Sequence, residues 1–112
     1  MKINGVELEV NFLDADFMEK IENCCRKVNE KAEKSKTELK NLTYSQQIKG
    51  ECKIIKDFFD EVFGEGTSNK IFKGKNDLKL CLSAFQDLIE AKAKMQQEMN
   101  SLFAKYSPDR LK

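Results

Sequence analysis

The 112-residue sequence contains no histidine and no tryptophan, a single proline and five glycines. Without histidine it lacks the side chain most often used as a general base at neutral pH, and no serine or cysteine stands beside an evident substitute. An enzyme is therefore not expected, and no catalytic residue is assigned. Zinc fits no better, because Cys24, Cys25, Cys52 and Cys81 follow no ribbon or finger spacing. The adjacent Cys24 and Cys25 do not form a C-x-x-C redox site either. Each cysteine instead falls among apolar residues at helical spacing, as in Ile48, Cys52, Ile55 and in Leu78, Cys81, Leu82, Phe85. Small buried hydrophobes are the expected role, with no metal and no cofactor.

Long apolar runs are missing as well. No segment approaches the ~20 residues needed to cross a bilayer. The opening MKINGVELEV has neither the cleavage site nor the unbroken apolar stretch of a signal peptide. A soluble, cytoplasmic protein without membrane contact is the expectation. Excess charge of one sign is also lacking: 20 basic against 19 acidic side chains leave a net charge of +1, which supplies no field for a phosphate backbone. Nucleic acid is not expected as a partner. Hydrophobic residues at 40% and charged residues at 35% fit one folded domain spanning 1–112 rather than a disordered chain.

What is present starts with Asn4-Gly5, a pair that tolerates the positive φ angles of a tight hairpin turn. Beyond it Val6, Leu8, Val10 and Phe12 alternate with Glu7, Glu9 and Asn11, so residues 1–13 read as a β-hairpin with one apolar face. A two-stranded ribbon is marginal alone and must lie on helices or pair with another chain. Asp14 is placed to cap a first helix with the stripe Phe17, Ile21, Cys24 or Cys25, and Val28, running on to about Lys40. Thr43 or Ser45 then caps a second, more apolar helix carrying Ile48, Cys52, Ile55, Phe58, Phe59, Val62 and Phe63, the expected centre of the core. Gly64-Glu65-Gly66-Thr67 ends it, and Thr67 or Ser68 caps a short turn with Ile71 and Phe72.

Asn76 or Asp77 caps the last helix, whose stripe of Leu78, Cys81, Leu82, Phe85, Leu88 and Ile89 closes a helical core over 14–92. The pattern continues into a helical extension and tail, 93–112, through Met95, Met99, Leu102, Phe103 and Tyr106 until Ser107-Pro108 stops it. That makes roughly 28 residues and roughly 42 Å, more than a small core covers. These five residues are the candidate partner-binding face, with intramolecular core as the competing reading. The fold class is thus mainly α, with three principal helices and an N-terminal β-hairpin.

Two other groupings carry less. Asp57, Asp60, Glu61 and Glu65 share a helix side, yet that helix also feeds Phe58, Phe59 and Val62 to the core, so a solvated acidic face explains them better than a cation site. Gly64-Glu65-Gly66-Thr67 lacks the lysine and spacing of a phosphate loop. Charge is unevenly spread: residues 1–22 hold two lysines against six acids, net −4, and residues 70–79 hold four lysines against Asp77, net +3. Such patches can stack subunits, so self-association is expected.

The segments MKINGVELEVNFLDADFMEKIE, DFFDEVFGEGTSNKIF and KNDLKLCLSAFQDLIEA, in this order, resemble the small tail assembly chaperones of long-tailed phages and prophages of Gram-positive bacteria. The likeness covers residues 1–92 and is most specific at Phe58, Phe59, Asp60, Phe63, Gly64, Gly66, Thr67 and Phe72. It implies a non-enzymatic helical protein of the host cytoplasm, absent from the mature virion. Such a protein binds the tape-measure protein, helps tail-tube subunits polymerise around it and self-associates. A structural head-tail connector or tail subunit is the alternative, and it would remain in the particle.

Overall fold

In a computed structural model, which describes residues 1–38 and 41–106, the chain is mainly helical with a two-stranded antiparallel hairpin at its start. Strands β1 (Lys2–Ile3) and β2 (Val6–Glu7) pair Lys2 with Glu7 and Ile3 with Val6. The turn places Asn4 at φ +52° and Gly5 at φ +80°, the positive pair that a tight hairpin with right-handed strand twist requires. The ribbon is shorter than residues 1–13: its strands span Lys2–Ile3 and Val6–Glu7, and the pairing ends where the Leu8 N–H donates to the Met1 carbonyl (2.7 Å). Leu8 is still buried, while Val10 and Phe12 are half-buried in an irregular segment that leads into the first helix.

Helix α1 (Ala15–Glu38) starts at Asp14, whose carboxylate accepts from the Phe17 N–H (2.9 Å). Its expected continuation to Lys40 lies outside the described residues. Helix α2 (Tyr44–Phe63) opens on a reciprocal cap: the Thr43 hydroxyl accepts from the Gln46 N–H (3.2 Å), and the Gln46 side chain accepts from the Thr43 N–H (2.9 Å). A short α3 (Thr67–Phe72) follows, then α4 (Leu78–Tyr106), where the Asp77 carboxylate accepts from the Leu80 N–H (3.2 Å). The Ser107-Pro108 stop and the tail 107–112 lie outside the described residues.

Helix α2 is the hub, packed against α1, α3 and α4. The α1 helix runs antiparallel to it, because Phe17 meets Phe63 at one end and the Ser35 hydroxyl donates to Glu51 toward the other. The α4 helix runs in the same direction as α2: Leu78 lies beside Ile48, Cys81 beside Cys52, and Phe85 against Phe58 with ring centroids 5.0 Å apart. The molecule measures 58 × 31 × 21 Å. Its radius of gyration, 16.8 Å, exceeds the ~13 Å of a compact domain of this length, so helix ends project past the core.

The core joins Ile3 and Leu8 of the ribbon to Ile21 and Cys24 of α1, Cys52 to Val62 of α2, Ile71 and Phe72 of α3, and Cys81 to Leu88 of α4. Leu82 departs from the expected stripe: it is 49% exposed, since Cys81, Ala84 and Leu88 already fill the side of α4 that faces α2. Phe59, by contrast, is fully buried and touches the rings of Phe58, Phe63 and Phe72. Phe59→Ala should lower the unfolding free energy by about 3–5 kcal/mol in urea titrations. Leu82→Ala should change it by no more than about 0.5 kcal/mol.

Candidate partner-binding site

The site begins where the core stops. Among the α4 side chains described, Leu88 is the last that is fully buried, and the helix continues for about five further turns. Ala91, Met95 and Met99 follow at helical spacing and are half-covered, as is Phe103. Leu102 is 39% exposed. The structure thus keeps Met95, Met99, Leu102 and Phe103 along one side of the projecting helix; Tyr106 continues the helix, but its side chain lies outside the description.

This face has a wall that sequence reading did not anticipate. Val10, Phe12 and Leu13 of the irregular segment lie across from Ala91 and Met95, with Lys94 and Glu98 at the rim, around an open cleft of about 390 Å³. The one sequence signal was the adjacent apolar pair Phe12-Leu13, which breaks the alternation of the ribbon. Leu13 is held outward, 50% exposed, by a turn in which the Asn11 side chain accepts from its N–H (3.1 Å). The resulting surface is apolar, adaptable at its methionines, and bordered by one cation and one anion.

The acidic group is not simply a solvated face. Asp60 turns toward α3, where its two carboxylate oxygens accept from the Ser68 N–H (2.8 Å) and the Ser68 hydroxyl (3.0 Å). Asp60 therefore supplies the cap that Gly66, the N-cap residue of α3, has no side chain to provide. The expected Thr67 or Ser68 cap is replaced by this contact from α2, with the Thr67 hydroxyl donating instead to the Gly64 carbonyl (2.7 Å). Asp57 lies near Lys53 (3.0 Å) and Lys31 (3.7 Å), and Glu61 accepts from Lys27 (3.0 Å) and from the Cys24 thiol (3.5 Å). No grouping of acids and cysteines suited to a metal ion occurs among the described residues.

All four cysteines are free thiols. Burial pushes Cys81 up to about 12, helped by the hydrogen bond with Cys52, and burial likewise raises Cys24 and Cys25. Raised thiols are poor nucleophiles, so these residues serve as packing. The oppositely charged segments 1–22 and 70–79 meet inside one chain: Glu9 and Lys70 line the same cleft, and the Asn4 side chain donates to the Ile71 carbonyl (3.5 Å). They need no second subunit to find each other. No helix among the described residues is long and apolar enough to cross a membrane.

These features define a small mainly helical protein with an N-terminal ribbon, whose distinctive surface is a projecting apolar helix face. The chain belongs to a family of unknown function, DUF6673, whose profile matches residues 4–112. Comparison with curated proteins and with solved structures gives no match.

Two measurements test the local chemistry. Iodoacetamide should label Cys25, the one half-buried thiol, well ahead of Cys52 and Cys81, which should react only on unfolding; peptide mass spectrometry reads the order. The Glu61 carboxyl is held below its ordinary value by the hydrogen bond from Lys27. Any stability from that pair is complete above the unfolded carboxylate value and is lost as pH falls through the lowered folded value. Both groups face solvent, so the effect on stability is small. A side-chain NMR titration should find the Glu61 midpoint below ordinary glutamates, and Lys27→Met should move it back up.

Proposed function

We propose that this protein is a non-enzymatic tail assembly chaperone of a long-tailed phage or prophage. It works in the host cytoplasm, binds the tape-measure protein and promotes polymerisation of tail-tube subunits around it. The observation that carries the reading is the run of α4 past Leu88, which holds Met95, Met99 and Leu102 on a face that the core does not cover. A tape-measure protein is a long helical client, and an amphipathic client helix needs an apolar, forgiving surface beside which to lie. Unbranched methionine side chains adapt to varied client sequence, and Val10 and Leu13 form the opposite wall. The motif segments that resemble such chaperones build the α2–α3 corner and the start of α4, which hold this face in place.

Binding by this route uses hydrophobic burial without refolding of the core. Met99→Asp together with Phe103→Asp should weaken co-purification with the tape-measure protein more than tenfold, since two buried apolar side chains contribute about 3–6 kcal/mol before compensation. Thermal melting is the control. A variant that binds normally but melts much earlier would place the stripe in the core and remove this assignment. Detection of the protein in purified mature particles would instead identify a permanent connector or tail subunit.

A further inference from the structure

The outer edge of β2 is open. Met1 and Leu8 exchange both of their backbone hydrogen bonds (2.7 and 3.1 Å), so the next pair, Lys2 and Glu7, is one whose N–H and C=O groups point away from each other. The N–H and C=O of Glu7 therefore face the side of β2 opposite β1, where they meet no partner among the described residues. A cleft of about 400 Å³ runs along that side. Its near wall takes residues from both faces of the strand, the inward Val6 and Leu8 and the outward Glu7 and Glu9, and no residue of β1. Only a cleft beside the backbone is bordered in that way, because side chains alternate between the two faces. The far wall is apolar at Phe17, Val62 and Phe63, and Lys70 stands at its rim.

The geometry points to this edge as the docking site for an extended segment of a partner protein, which adds a third strand to the ribbon and alternates basic with apolar residues. The pairing of β1 shows the chemistry that β2 accepts: Lys2 lies opposite Glu7, and Ile3 lies opposite Val6 on the buried face. A strand of the same pattern on the free edge sets its bases beside Glu7 and Glu9 and its apolar side chains toward Phe17 and Phe63. Charge selects the same occupant. The cleft holds two acids against the single cation Lys70, and Glu9 makes no ion pair among the described residues.

Other occupants fit less well. Edge-to-edge pairing of two β2 strands from separate copies sets the acids of one against the acids of the other, which is destabilising. A helix spends its own backbone donors internally and leaves the Glu7 carbonyl unanswered. The cleft shares no residue with the one at Val10 and Met95, so the chain has room for an extended segment here and a helical one there. The strand site does not rest on the client reading.

The probe is a synthetic peptide of about six residues, alternating lysine with isoleucine, titrated into the isotope-labelled full chain and followed by NMR. Saturable shifts are expected at the amides of Val6, Glu7, Leu8, Glu9 and Phe63, with slowed hydrogen exchange at the Glu7 N–H and no change at Met95 or Met99. Exchanging the peptide lysines for glutamates should weaken binding about tenfold, and Glu9→Lys should narrow or reverse that preference. Methylating the peptide nitrogens should abolish binding. Glu7→Pro removes the outward donor and no bond of the β1–β2 ladder, so it should lose the peptide at an unchanged melting temperature, while Glu7→Gln keeps most of the binding. If the proline variant melts early, the methylated peptide still decides. No saturable shift at millimolar peptide, equal binding of the methylated or acidic peptide, or shifts confined to the Met95 cleft overturns the proposal. Shifts at Val6 to Glu9 that grow with protein concentration in the absence of peptide overturn it as well, by giving the edge to a second copy.

Discussion

Seven of the eight phenylalanine rings form one connected series, and the placement of every helix depends on it. Phe12 meets Phe17, Phe17 meets Phe63, and Phe63 stacks on Phe59. From Phe59 one branch reaches Phe72 and the other passes through Phe58 to Phe85. Four of the six contacts belong to Phe58 or Phe59, three of them edge-to-face, the geometry in which the positive ring edge meets the negative face. The three α2 phenylalanines lie in its last six residues, so the helices are fixed to one another near one end of the α1–α2 pair. The far turns of α1 and the second half of α4 lie beyond the series, and of its rings Phe12 alone lines the cleft with Met95.

Polar contacts complete the same corner. Asp60, between the rings of Phe59 and Phe63 in sequence, reaches over Gly64-Glu65-Gly66 to hold Ser68, so α3 is tied to α2 by two hydrogen bonds and by the Phe59–Phe72 contact. Gly64 at φ +112° and Gly66 at φ +90° take backbone conformations that favour glycine, which lets the chain reverse in three residues. The motif DFFDEVFGEGTSNKIF is accordingly a set of instructions for a rigid bend. Its residues position the client face without belonging to it.

Much of this architecture was legible because local chemistry and packing agreed. Asn4-Gly5, Asp14, Thr43 and Asp77 each mark an element boundary through hydrogen-bonding or φ preferences that act within four residues. The α2 stripe is so rich in aromatics that no competing face exists. What escaped the sequence was non-local. Leu82 matches the α4 stripe but is displaced by neighbours that already fill the interface, and Asp60 reads as a surface acid until α3 folds back onto it. The ribbon is shorter than its pattern because alternation over residues 6–12 does not mark where strand pairing stops. The wall at Val10 and Leu13 arises from how the segment before α1 lies against α4, which periodicity does not encode.

The ribbon's resting place has a consequence for synthesis. Asn4 is held by the Ile71 carbonyl, and its neighbours in the fold include Phe72 and Leu80, so the hairpin turn is docked on elements nearly seventy residues downstream. The α1–α2 contacts join elements adjacent in sequence, whereas the contact of Asn4 with Ile71 can form only once α3 has left the ribosome. During that interval the nascent chain carries an open strand edge at the ribbon. The Asn4-Gly5 turn is thus translated well before the elements that shield it.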